Sequence, residues 1–457
     1  MSPAGGDSPK KKPIDGLKRK MSAWVYGLGG LLIAGLALVY FLFGNELGLG
    51  LIKPAKQLHA DRIWSKNLPD AGKNPSTPAL ADINGDGVLD VIVVNLGGHL
   101  LAFDGKTGKR IMDRNIGSPM IAPPVAGDFD GNGIDDIVVA TTGGRVFAIN
   151  GKGKVLWQSQ AGLSAGAIVN RPVLVDVNGD DVKDVIVPTR NIGLVALDGK
   201  KGTELWNSAY ATLGMVVTSP VVRDINGDGV MDFIYLTDQG HLTAITSKED
   251  KVRRLWDRNV GVSVLNASPA YVKGGKNGLI VVGTNGKGIM AFKTENGSLA
   301  WKSKVKGRFL ASPVSADANG DGVADVVVVS MKGKLHLLNG LTGKEIWSAD
   351  LGSGMRTTPA LFDLDGNGLP DILLLDTSGN ILAFDMARGR NILKMSVPGS
   401  SDGFVASPVL GDLTGQGMLG VVCAAQNGKV TALRINSRVG KGKAPWPLFL
   451  GNNRHGL

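Results

Sequence analysis

Six stretches of this 457-residue chain share one nine-residue pattern. Oxygen-bearing side chains stand at positions 1, 3, 5 and 9, and glycine usually stands at position 6. The clearest copy holds Asp82, Asn84, Asp86 and Asp90, with the carbonyl of Val88 at position 7. The second holds Asp128, Asp130, Asn132, Ile134 and Asp136, and the third Asp176, Asn178, Asp180, Val182 and Asp184. Further along come Asp224, Asn226, Asp228, Val230 and Asp232, then Asp317, Asn319, Asp321, Val323 and Asp325, and last Asp363, Asp365, Asn367, Leu369 and Asp371. Alternating carboxylate and amide oxygens, a sharp turn and a closing carboxylate describe a loop that wraps a hard cation. Calcium takes ~6–8 oxygens in flexible geometry, whereas magnesium demands a tighter octahedron and retains waters. A single copy reads equally well as an Asx-rich turn without metal. Six copies with one spacing favour Ca2+, at about five or six sites. The third loop is expected to bind less securely, because Asp181 replaces the position-6 glycine and a left-handed backbone costs a non-glycine residue ~1 kcal/mol or more.

The loops belong to a larger repeat. A proline stands four residues before each of them, at Pro78, Pro124, Pro172, Pro220, Pro313 and Pro359. Two more units keep the proline, at Pro269 and Pro408, but have Lys273 and Gly420 where ligands are needed. The prolines recur every 44 to 49 residues, a period typical of propellers and other arrays. Each unit runs from a short apolar stretch into the loop, then through a β-branched run such as DVIVV. A glycine turn, a second apolar run, a glycine-lysine turn and a segment often carrying tryptophan follow. Four short strands per unit is the composition of a propeller blade. The fold class is all-β: an eight-bladed β-propeller over residues 60–436.

The last unit supplies only three strands before the chain turns to SRVGKGK. Its missing outer strand matches Arg62-Ile63-Trp64-Ser65, which carries the signature of Trp157, Trp206, Trp256, Trp301 and Trp347. An N-terminal strand there would close the ring and cover an exposed sheet edge. The segment around Trp446 is the alternative donor, disfavoured by its two flanking prolines.

These features carry a family resemblance. The loops with their following Val/Ile runs resemble the FG-GAP repeats of integrin-type propellers. The outer strands, as in TGKEIW at 342–347, resemble the blades of pyrroloquinoline-quinone-like propellers. The terminal Trp446-Pro447-Leu448-Phe449, with Gly451-Asn452-Asn453 and His455-Gly456, is similar to a tail seen in bacterial proteins of this type. The resemblance speaks to architecture, since one fold hosts many activities. It raises a quinoprotein dehydrogenase as an alternative function. Many such enzymes stack an adjacent Cys-Cys pair on the quinone, which a chain with one cysteine cannot do. Polysaccharide-active enzymes on calcium-rich propellers are a further alternative.

Residues 23–43 are 21 uncharged, mostly apolar residues, enough to span a ~30 Å hydrocarbon core as a helix. Lys10, Lys11, Lys12, Lys18, Arg19 and Lys20 precede them against Asp7 and Asp15. The positive-inside rule then keeps residues 1–22 cytoplasmic and sends the propeller, after a 44–59 linker, to the periplasm or outside. Gly27, Gly30, Ala34 and Ala37, with Ala23, place small residues on one helical face, which permits close helix packing. A cleaved signal peptide is the rival reading, but the apolar segment is long for one and no clean cleavage site follows. Residues 437–457 form a C-terminal tail. Cys423 lies in the apolar run GVVCAA and is expected to be a buried, inert thiol.

The formal net charge is +10 before any metal is counted. A basic, cation-loaded propeller favours anionic partners such as acidic protein faces, lipid headgroups or glycans. Nucleic acid is disfavoured, because no basic-aromatic binding motif appears. The chain also lacks a His-x-His pair, a phosphate-binding loop and a uniquely placed catalytic pair. The expected function is therefore non-enzymatic. The chain reads as an inner-membrane-anchored scaffold for other membrane or envelope proteins, with a glycan-binding module as the other non-enzymatic alternative. The turns joining successive blades vary most between units. They contain Arg171, Met215, Arg308, Phe309, Met355, Arg356 and Phe404, read as exposed apolar and arginine anchors for a partner.

Overall fold

The computed structural model describes residues 57–438, apart from 70–74, 160–165, 249–250, 262–266 and 275–276. The apolar segment 23–43, with Gly27, Gly30, Ala34 and Ala37, lies outside the described residues, as do Trp446 and the tail from 439. Among the described residues no helix is long and apolar enough to cross a membrane.

Eight four-stranded antiparallel sheets form the blades, seven of them built in chain order from first strand to outermost. The β-branched runs form the second strands. Asp90–Val94, Asp136–Ala140, Asp232–Leu236, Asp325–Val329 and Asp371–Leu375 are buried along their whole length. Burial on both faces explains why these runs are continuously apolar rather than alternating. The outermost strands face water on one side, and Glu345–Asp350 alternates exposed and half-buried positions from Ile346 on. Eight apolar clusters result, each drawing on two neighbouring blades. In one, Leu373 and Leu375 of blade seven pack with Val421 and Cys423 of blade eight. The cores thus lie between blades, so each blade depends on its neighbours for burial.

The eighth blade closes as its tryptophan signature predicts. Strand Ala60–Asn67 lies outermost on the sheet that ends the chain and pairs antiparallel with Lys429–Arg438. Trp64 sits opposite Ala432. The N-terminal strand therefore joins the two ends of the ring by ladder hydrogen bonds.

Two sets of contacts lock blade to blade. On the side of the acidic loops, outer-strand indoles donate to turn carbonyls of the next blade. Trp157 reaches Gly199 at 2.7 Å, Trp256 reaches Thr294 at 2.8 Å, and Trp301 reaches Gly340 at 2.9 Å. The second set involves the residue before each repeat proline. Its N–H donates to the hydroxyl of the equivalent residue one blade on: Ser219 to Ser268 (3.0 Å), Ser268 to Ser312 (2.8 Å) and Ser312 to Thr358 (3.1 Å). Thr358 to Ser407 (2.9 Å) and Ser407 to Thr77 (3.0 Å) continue it. Proline biases the preceding residue toward extended backbone, which presents successive N–H groups in the same way. The belt stops where Pro123 and Arg171 replace the hydroxyl residues.

Candidate metal loops and the opposite face

Each acidic loop joins the first and second strands of its blade. In the first loop, Asp82 accepts the N–H groups of Gly85 (2.7 Å) and Gly87 (2.8 Å), which fold the backbone around its carboxylate. Asn84 accepts from Asp86 N–H at 2.8 Å and Asp86 from Val88 N–H at 2.9 Å. The same bonds recur in the loops starting at Asp128, Asp224, Asp317 and Asp363. The sequence thus writes a chain of Asx turns, each using one lone pair of an oxygen that still has another.

The closing carboxylates give the loops their electrostatic character. Asp90, Asp136, Asp184, Asp232, Asp325 and Asp371 are all buried. One oxygen usually accepts the N–H of loop position 2, as Asp371 does from Leu364 at 2.8 Å and Asp136 from Phe129 at 2.9 Å. The second oxygen, Oδ1, has no hydrogen-bond donor at Asp232 and Asp371 among the described residues. Burial, reinforced by the neighbouring loop carboxylates, raises these acids. Asp371 is pushed up to about 8, Asp90 to about 7, and Asp136 and Asp325 to about 6. Asp184 and Asp232 are raised for the same reason. A buried oxygen without a donor, set among like charges, has an electrostatic deficit that a divalent cation would fill. Carboxylate oxygens of Asp128, Asp130 and Asp136 lie within 4.8 Å of one another, as do those of Asp363, Asp365 and Asp371. An all-oxygen donor set of this kind fits a hard cation, calcium above all.

The third loop keeps the geometry with a residue ill suited to it. Asp181 is the one non-glycine residue with positive φ among the described residues, at 66°. Gly87 at the same position has φ +81° and open space where a Cβ would stand. The Asp181 side chain is therefore accommodated, and the strain is in the backbone alone. Its N–H still closes the loop onto Asp176 at 2.9 Å. The Val182 N–H lowers the pKa of Asp180, helped by Lys200, whose Nζ reaches across from another turn to lie 3.0 Å from an Asp180 oxygen. A cation in this loop has a lysine as competitor.

The two deviant units lack the donors, as the sequence indicates. In the eighth, Asp412 still accepts the Gly417 N–H at 2.7 Å. A Cβ on Gly420, at the closing position, would lie 2.6 Å from Leu413, so apolar packing fills the space of the missing carboxylate. Lys273 keeps its place in the fifth unit, where its carbonyl accepts the Ala324 N–H at 3.0 Å.

The other face of the ring carries the turns that join successive blades, and here the expected exposure needs correction. Met215, Arg308 and Arg356 are exposed. Phe309, Met355 and Phe404 are each only 1% exposed, and Arg171 is buried as well. The three apolar residues plug the clefts between blades, joining the clusters of blades five and six, six and seven, and seven and eight. Met120, Ile168 and Val216 occupy equivalent buried places. A sequence signal for this existed: all six stand four residues before a repeat proline. Burial alone pulls Arg171 down to about 10.

Between the turns of blades six, seven and eight lies a cavity of about 250 Å³. Met331, Met355, Phe404 and Val405 give it an apolar floor, and Arg356, Asp402 and Gln426 stand around it. The histidines of the repeat form no pair across blades. His99 and His241 each bond an acid on the adjacent outer strand, Asp113 at 3.1 Å and Asp257 at 2.8 Å.

Residues 62–270 and 238–447 match the family described as outer membrane protein assembly factor BamB, a group of pyrroloquinoline-quinone-type repeats. No curated protein sequence matches the chain. Among solved structures, BamB from Moraxella catarrhalis is 16% identical with a TM-score of 0.58, covering 82% of this chain and 100% of its own. Saccharomyces cerevisiae Sqt1 is 12% identical with a TM-score of 0.61, covering 82% and 99%. The quinohemoprotein alcohol dehydrogenase ADHIIG from Pseudomonas putida HK5 is 12% identical with a TM-score of 0.58, covering 86% and 78%. At these identities the likenesses speak to the fold alone.

Proposed function

Because the chain belongs to the family described as outer membrane protein assembly factor BamB, we propose that it is a protein-interaction scaffold within a cell-envelope complex. In this reading it is held to the inner membrane by the 23–43 segment, with its propeller in the periplasm and calcium stiffening the ring. The observation that carries the proposal is the contrast between the two faces. One repeats the same acidic loop six times, as a shared structural device does. The other presents turns that differ from blade to blade, with a cavity among those of blades six, seven and eight, which suits selective contact.

The cation would be held by positions 1, 3, 5 and 9 of each loop and would supply charge compensation to the buried closing carboxylates. Asp371 and Asp232 would each offer the Oδ1 that lacks a donor. A ligand that binds only the folded ring raises its stability by mass action. Extracytoplasmic calcium suits loops of modest affinity, as extracellular modules bind at about 10⁻⁴–10⁻³ M.

Crosslinking in intact membranes, with the full chain as bait, tests the scaffold role. A specific envelope protein recovered in stoichiometric amount is the expected result, and recovery of the chain alone contradicts it. The likeness to a quinohemoprotein enzyme favours a second reading at the level of fold only. Incubation with pyrroloquinoline quinone followed by gel filtration separates the two: co-elution of quinone absorbance would support the enzyme.

A further inference from the structure

We propose that the joining-turn face over blades five and six is a docking site for an acidic segment of a partner protein, with one apolar side chain of that segment seated in the adjoining cavity. The proposal rests on the scaffold reading and adds where the partner binds and what chemistry it presents.

The first ground is charge. Lys287, Lys304, Lys306, Arg308, Lys332 and Arg356 are all exposed on this face. The turns that carry them, residues 284–288, 302–312, 330–334 and 351–357, contain no aspartate or glutamate. None of the six forms an ion pair among the described residues. In other turns Lys200 does meet Asp180, and Arg388 meets Asp385. Six like charges on one arc repel one another, and an anionic partner relieves that repulsion.

The second ground is that the arc is a rigid, continuous surface. Gly286 N–H donates to Gly307 at 3.3 Å, and Met331 N–H to Arg308 at 2.8 Å. Met355 N–H then donates to Met331 at 3.3 Å, which ties the four turns into one strip. Phe309 and Met355, both buried, pin that strip to the cores below. The cations are thereby held in fixed order, which reduces the ordering cost of binding.

The third ground selects the class of polyanion. The strip runs into the cavity of about 250 Å³, whose floor is Met331, Met355, Phe404 and Val405, with Arg356 and Asp402 at its edge. An apolar pocket beside a row of cations matches a peptide that alternates carboxylates with an aromatic or aliphatic side chain. A lipid headgroup or an anionic glycan offers the charge without that side chain.

The test uses the full chain in detergent with calcium, and a fluorescein-labelled peptide of Glu and Asp flanking a single Phe. Anisotropy should report binding that weakens with added salt. The triple variant K304E/R308E/R356E should weaken it at least tenfold, and replacing the peptide Phe by Ala about fivefold. A matched reversal on the acidic-loop face, K106E/K109E/K152E, should change it less than twofold. Equal loss in both triple variants overturns the site, because it shows attraction to net charge alone. Tighter binding to heparin or to phosphatidylglycerol vesicles than to the peptide overturns the partner class. If the first triple variant fails to melt cooperatively, R308Q/R356Q replaces it, with about a threefold loss expected and no loss counting against the site. Failure of the membrane crosslinking with this peptide result intact would sink the scaffold role and leave the site standing.

Discussion

The indole of Trp64 donates to the carbonyl of Gly105 at 2.7 Å, joining the N-terminal strand to the first blade while that strand completes the eighth. Gly108, at φ +66°, lies so close that a Cβ would come within 2.6 Å of the ring. One residue thus closes the propeller from both sides of the seam. Trp64→Ala should cost about 3–5 kcal/mol, the range for emptying a buried aromatic site. Urea unfolding of the chain with and without the substitution measures this, and a loss below about 1 kcal/mol would show that the seam does not depend on the indole.

Removing residues 1–67 takes away the closing strand and exposes the edge of Lys429–Arg438. Open edges recruit other strands. The truncated chain should therefore self-associate, seen as concentration-dependent mass in light scattering. A monomer that melts like the full propeller would contradict the closure.

The raised closing carboxylates set a pH dependence with a definite sign. Asp371, at about 8, and Asp90, at about 7, are held above their ordinary value mainly by burial. Their protonated forms are favoured in the folded ring. That contribution is fully present below the unfolded value of about 4 and is lost as pH rises through 7 to 8. Chelated protein should melt at a lower temperature at pH 8 than at pH 6, and added calcium should restore more at pH 8. Calorimetric melts at the two pH values, with chelator or calcium, give the answer; equal chelated melts would show that burial does not strain these acids.

Asp181→Gly should relieve left-handed strain on the order of 1 kcal/mol, and Lys200→Gln should free Asp180 from its ion pair. Both changes together should raise the calcium affinity of the third loop. Isothermal titration of the double variant against the parent measures it, and an unchanged isotherm contradicts both assignments.

Cys423 is fully buried, and burial pushes its thiol well up. It should not react with a thiol reagent in the folded chain and should react at once in denaturant. Reaction in native buffer at the denatured rate would mean that the core between blades seven and eight is open.

Much of this architecture is legible in the sequence because each blade writes it locally. The repeat prolines mark the blades, and Trp64 identifies the strand that closes the ring. Asp181 marks the one loop whose backbone is strained. What the sequence left hidden depends on contacts between blades. Phe309, Met355 and Phe404 sit in turns that look like exposed anchors, yet each fills a cleft whose walls come from two blades. Lys200 meets Asp180 from a different turn, a pairing that strand spacing does not announce.

In the proposed function the repeated loops are calcium sites that stiffen the ring. Purified protein stripped with chelator and re-equilibrated in millimolar calcium, then assayed for bound metal by mass spectrometry, tests this directly. The six complete loops predict five or six calcium ions per chain, the third loop being the last to fill. No more than one or two ions per chain would contradict the account and leave the loops as metal-free Asx turns.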